Sequence, residues 1–176
     1  MRVGKLAAAL GATACVLGGG SAALAASHPK GGKVNVFVTT KSSTKDKVLI
    51  TGAIGDFGTA ISQNAKGKVS PNGSYEKVKL THGGFIINAT QLNNKINHAT
   101  PVFNKANCSV TVRATGPAFV GDGTGAYKGI SGTIRISVTF AGVAKKTAKG
   151  CAAASNAPLQ GQYVSISGTG TVRFVK

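Results

Sequence analysis

Apolar and polar residues alternate with a period of two along much of this chain. Val34, Val36 and Val38 alternate with Asn35, Phe37 and Thr39, and Val78 and Leu80 alternate with Lys77 and Lys79. Val110 and Val112 interleave with Thr111 and Arg113, while Ile134, Ile136, Val138 and Phe140 interleave with Arg135, Ser137 and Thr139. Val172 and Phe174 repeat the pattern beside Thr171 and Arg173. Successive side chains of a strand point to opposite faces, so this period marks strands with one dry and one wet face; a helix would repeat every ~3.6 residues. The runs are rich in Val, Ile, Thr and Phe, which suit a pleated, half-buried surface.

Turn chemistry separates the runs. Pro71-Asn72-Gly73, His82-Gly83-Gly84 and Gly121-Asp122-Gly123 each lie between apolar stretches, where residues tolerant of positive φ are wanted. Thr81 to Gly84 reads as the turn of a hairpin joining Tyr75–Leu80 to Phe85–Ala89. Gln91 to Ile96 fits either a single helical turn or a loop. Short strands punctuated in this way predict an all-β fold, either a small antiparallel barrel or a sandwich. With 176 residues there is room for one domain. Ile130-Ser131-Gly132-Thr133-Ile134 and Ile166-Ser167-Gly168-Thr169-Gly170 echo each other, a common glycine entry into a strand rather than a repeated domain.

The N-terminal stretch has a different composition. Arg2 and Lys5 are followed by no charge until Lys30, and Leu6 to Ala26 is rich in Ala, Gly and Leu. Ala23-Leu24-Ala25 supplies the small-x-small pattern of a signal peptidase site. Residues 1–25 therefore read as a leader, 26–32 as a flexible N-terminus and 33–176 as the β domain. A membrane span is disfavoured by Gly18-Gly19-Gly20, and a lipid anchor on Cys15 by the missing Leu three residues upstream. Cleavage removes two cations, so the formal charge falls from +17 to +15. It also leaves an even pair of cysteines, Cys108 and Cys151, 43 positions apart. In an oxidising compartment such a pair is most simply one disulfide; neither has a His near it in sequence to activate a thiolate.

The run Gly123-Thr124-Gly125-Ala126-Tyr127-Lys128-Gly129-Ile130-Ser131-Gly132-Thr133 is the most distinctive in the chain. It resembles a segment of secreted actinobacterial proteins, and with Lys47 to Gly58, the two cysteines and Gly168 to Val172 that resemblance covers most of the domain. The motif is also similar to the glycine-rich strand-turn-strand of the allene oxide cyclase and dirigent barrels. The likeness implies a small antiparallel barrel with a central cavity. It implies no cyclase chemistry, because no polar cavity residue of those barrels can be matched here, and fold alone does not carry function.

Motifs for other chemistries fail on context. Gly121-Asp122-Gly123-Thr124-Gly125-Ala126 has the spacing of a dinucleotide fingerprint, but Tyr127 to Gly132 after it, with two more glycines, opens no helix to face a pyrophosphate. Asp122 alone does not make a calcium site; the four acids, Asp46, Asp56, Glu76 and Asp122, are scattered, so a carboxylate pair would depend on a contact made by the fold. Asp122 reads instead as a turn former. His28, His82 and His98 lack zinc-ligand spacing, and no nucleophile elbow is present. No metal or cofactor is expected.

Charge is the strongest functional signal. Lys77, Lys79, Arg113, Arg135 and Arg173 fall at expected outward positions, and Lys145, Lys146 and Lys149 cluster beside Cys151. Such a field attracts cell-wall phosphates, nucleic acid or membrane headgroups, or serves solubility alone. Aromatic residues, at 6%, are too few for base-stacking platforms. The expectation is a secreted, disulfide-stapled, non-catalytic β protein that binds anionic partners. The alternatives are a plain structural secreted protein, or a cavity enzyme acting on an apolar small molecule. The last requires an enclosed pocket with at least two converging polar side chains.

Overall fold

The computed structural model describes residues 30–148, 150–152 and 159–175. The proposed leader, Cys15, His28 and Lys149 lie outside these residues. Eleven strands and one helix follow in chain order: β1 (Gly32–Thr40), β2 (Lys45–Gly52), β3 (Asp56–Gln63), β4 (Tyr75–Leu80), β5 (Gly83–Asn88), α1 (Thr90–Asn97), β6 (Val102–Asn104), β7 (Ser109–Gly125), β8 (Ile130–Val143), β9 (Lys146–Thr147), β10 (Gly150–Cys151) and β11 (Gly161–Phe174). β1 to β5 form an antiparallel meander, β1 also pairs with β11, and β11 continues through β8 to β7. A pairing of β5 with β7 closes the ring, making an eight-stranded antiparallel barrel rather than a sandwich. β6 flanks the start of β7, and β9 and β10 form a small separate hairpin.

The alternation expected from sequence describes the faces. Val34, Val36, Val48, Ile50, Val78, Phe85, Ile87, Ala118, Val120, Ile134, Ile136 and Val172 point inward and are buried. They pack into one core cluster inside the barrel, with branched side chains from facing strands meeting, as in small barrels generally. The two echoing segments are neighbours. β8 and β11 run antiparallel with Gly132 opposite Val172 and Gly168 opposite Ile136, so a glycine on one strand faces a bulky side chain on the other.

The hairpin expected at Thr81–Gly84 is present, linking β4 to β5. Gly121-Asp122-Gly123 is not a turn. It lies inside β7, where the register shifts between Gly84 and Ile86 of β5, and Asp122 takes φ 52°. This is a bulge, which needs the same left-handed tolerance as a turn and bends a strand at a barrel rim. The true β7–β8 turn spans residues 126–129. The glycines around it are sterically required: a Cβ on Gly123 of β7 would overlap the Tyr127 carbonyl oxygen, and Gly129 of the turn, at φ 75°, lies against the carbonyl of Val175.

Gln91–Ile96 lies in α1, an eight-residue helix with no side-chain cap. It is held by packing: Leu92 is buried, and a Cβ on Gly116 of β7 would come within 3.0 Å of the Leu92 Cα. Cys108 and Cys151 are joined, with Cα atoms 5.4 Å apart, tying the β6–β7 turn to the β9–β10 hairpin.

Candidate functional site

The exterior places the expected cations in separate groups. β2, β3 and β4 pair so that Lys45 and Lys77 flank Ile61, while Lys47 and Lys79 flank Thr59. All four lysines are exposed and sit on the outer face, forming a two-by-two array. Neighbouring strands are ~4.8 Å apart and alternate residues along a strand ~7 Å apart, so one polyanion segment can touch all four. Lys77 and Lys79 were legible as outward positions; their partners Lys45 and Lys47 become visible only once the strand pairing is known.

The arginines lie across the barrel from this array. Arg113, Arg135 and Arg173 are exposed on β7, β8 and β11, opposite Thr139, Thr169 and Ser131 respectively. Each step along β8 is four residues, or about 13 Å, so they make a spaced diagonal rather than a cluster. The Arg173 Nε donates to the Ser131 hydroxyl at 3.1 Å. Lys145 and Lys146 are exposed beside Cys151, and the Lys146 ammonium donates to the carbonyl of Ala106 at 3.0 Å. The seven expected cations among the described residues thus do not form a single site.

The barrel mouth near α1 holds the carboxylate pair that sequence order hides. Asp46 and Glu76 are in phase with the buried residues of β2 and β4, opposite Ala60 and Ser62 of the intervening β3. Both line a cavity of about 520 Å³, with Ser62, Ser74, Asn93 and Asn97 among its other walls. Asn93 fixes α1 to the β3–β4 connection, donating from Nδ2 to the carbonyl of Gly73 at 3.0 Å and to the Ser74 hydroxyl at 3.2 Å. The Glu76 Oε2 is buried without a hydrogen-bond partner. Burial pushes the Glu76 carboxyl up to about 7, helped by the nearby Asp46 charge and opposed by the Ser62 hydroxyl. Burial also raises Asp46, against hydrogen bonds from the Thr40 side chain and the Lys41 backbone. A carboxyl poised near neutrality can bind a donor-bearing ligand or exchange a proton at neutral pH.

The other end of the barrel is closed by Asp56, the one buried charged residue in the described core. Its oxygens accept from the Tyr127 hydroxyl at 2.5 Å, the Thr81 hydroxyl at 2.5 Å and the Phe57 N–H at 2.7 Å. The His82 N–H at 3.2 Å and the Thr81 N–H at 3.3 Å complete the set, and the His82 Nδ1 lies 3.1 Å away. Burial alone would raise this carboxyl, but the hydrogen bonds prevail and hold it well below the usual carboxylate range. Burial and the Asp56 carboxylate together raise the Tyr127 phenol. The buried Tyr127 ring meets Phe85 edge-on at 5.8 Å. The glycine motif is therefore an anchoring device: its tight turn delivers a tyrosine hydroxyl to a buried acid on β3.

Among the described residues no group of three or more His, Cys, Asp or Glu side chains is placed to hold a metal ion. No described helix is long and apolar enough to cross a membrane. Comparison with protein-family models, curated proteins and solved structures gives no match.

Proposed function

We propose that this chain is exported, loses residues 1–25, and acts as a non-catalytic barrel that binds anionic surfaces through its exterior. The observation that carries this reading is the array of Lys45, Lys47, Lys77 and Lys79 on one outer face whose outward positions include no acid. A formal charge of +15 after leader removal, two below the +17 of the full chain, gives long-range attraction to polyanions. The likeness to secreted actinobacterial proteins agrees with export, and the Cys108–Cys151 bond suits an oxidising compartment.

Retention on phosphocellulose is expected to fall steeply with salt, and no retention is expected on unmodified cellulose. Changing all four array lysines to Gln should weaken binding roughly tenfold or more at ~0.1 M salt, since several adjacent contacts are lost together. Changing Arg113, Arg135 and Arg173 to Gln should weaken it less, because those charges are dispersed. Salt-independent elution, or equal retention on the neutral matrix, contradicts the proposal.

The unpartnered Glu76 Oε2 favours a second reading, in which the mouth takes a small molecule. Its Ser, Asn and carboxylate lining suits a polar ligand rather than the apolar one first considered. This reading requires Glu76 to titrate near neutrality, and stability reports on that. The folded carboxyl holds its proton to about pH 7, against an ordinary value of 4.5. Between those values the folded state binds more protons than the unfolded chain, so stability falls as pH rises through the window. Solvent at the mouth tempers the size, giving about 2 kcal/mol between pH 5 and 8. Glu76→Gln should remove that component from denaturation midpoints. Identical pH profiles for the two proteins would rule out a titrating mouth.

A further inference from the structure

The same outer wall carries a feature that anion binding leaves unexplained. Phe37, Leu49 and Phe57 are directly paired across β1, β2 and β3, Phe37 opposite Leu49 and Leu49 opposite Phe57. All three point outward and remain 50%, 47% and 62% exposed. Leaving about half of each side chain exposed, side by side in one row, sets them apart from scattered surface apolar residues, since contiguous exposed apolar surface marks contact sites. Leu49 is two residues along β2 from Lys47, and Phe57 two residues along β3 from Thr59, the centre of the Lys47–Thr59–Lys79 row. The wall therefore reads, from one end to the other, as an apolar row followed by two rows flanked by lysines.

We propose that this wall docks on anionic lipid bilayers, with Phe37, Leu49 and Phe57 entering the boundary between headgroups and acyl chains while Lys45, Lys47, Lys77 and Lys79 meet headgroup phosphates. The inference rests on the anion-binding reading and narrows its partner. Charge complementarity selects the occupant: the outward positions of β2, β3 and β4 include four cations and no anion. A second copy of the chain would bring no acid to meet the lysines, since the outward positions of this wall carry none. A wall polymer of phosphates would use the lysines but gives the apolar row nothing to enter. An anionic bilayer satisfies both halves at once, as with interfacial segments that combine aromatic or aliphatic residues with neighbouring cations.

The chain has no Trp, so Phe57→Trp introduces a single spectroscopic reporter at the apolar row. Its emission should shift to the blue on adding vesicles of phosphatidylcholine with ~30% phosphatidylglycerol, and stay unchanged with phosphatidylcholine alone. Vesicle sedimentation of the chain and its variants, all in the same processed form, supplies the second readout. Changing Phe37, Leu49 and Phe57 together to Ser should weaken vesicle binding at least tenfold while leaving phosphocellulose retention as it was. Changing the four lysines to Gln should weaken both. These side chains are exposed, so circular dichroism should show each variant folded. Vesicle binding by the Ser variant equal to the parent overturns the docking inference and leaves anion binding standing; loss of phosphocellulose retention by the parent overturns the broader reading. Concentration-dependent dimers abolished by the Ser variant, with no vesicle binding, would assign the row to self-association and overturn the inference.

Discussion

Asp56→Ala should destabilise the barrel by about 3 kcal/mol, read as a lowered denaturation midpoint. The loss comes from donors rather than from packing. The buried Tyr127 hydroxyl and the Phe57 N–H both lose their acceptor. A buried donor left unmatched costs roughly 1–3 kcal/mol, whereas Thr81 and His82 are exposed and can turn to water. Asp56→Asn keeps the shape and should cost less, but it abolishes the charge. That makes acid the discriminating condition. The folded carboxyl lies well below its ordinary value of 3.8, so its contribution is complete above that value and disappears as pH falls through the folded pKa. The Asn variant should therefore lose less stability than the parent between pH 5 and pH 2. Parallel acid profiles would show that Asp56 is not held ionised by its neighbours.

Breaking the Cys108–Cys151 bond should have an effect of similar size. The link closes a loop of 43 residues, and releasing such a constraint from the unfolded chain is worth about 4 kcal/mol in the chain-entropy account. That loop contains β7 and β8, two adjacent long strands of the barrel. Urea midpoints with and without reductant, or for Cys108→Ser/Cys151→Ser against the parent, measure the effect. The oxidised protein should also weigh ~2 Da less than the reduced one, two hydrogens having been lost. Two alkylatable thiols in the non-reduced protein, or a midpoint indifferent to reductant, would refute this account.

Much of the architecture is legible in the sequence because barrel strands are written in side-chain parity. Val34, Val36, Ile134, Ile136 and Val172 announce their faces directly, and the buried positions follow. What parity cannot supply is pairing. Nothing local says that Lys45 and Lys47 stand beside Lys77 and Lys79, or that Phe37, Leu49 and Phe57 share a row; those facts belong to the order β1-β2-β3-β4. Gly121 to Gly123 reads as a turn but forms a bulge, because glycine and aspartate serve both through the same positive φ, taken here by Asp122. The carboxylates carried a usable signal. Asp46 is in phase with Val48 and Ile50, Glu76 with Val78 and Leu80, and Asp56 with Ala60. An acid on the inward parity of an apolar run is out of place by composition, and three of the chain's four acids have that property.

The pairing of β1 with β11 has a consequence for how the molecule reaches this state. Gly32 lies opposite Val172 and Val38 opposite Ile166, so the opening strand finds one of its two neighbours only after the closing strand has been synthesised. Such distant partners impose a large entropic delay, and ring closure must be a late, slow event. A ribosome-bound chain would hold that edge of β1 unpaired throughout elongation, open to any strand that reaches it first.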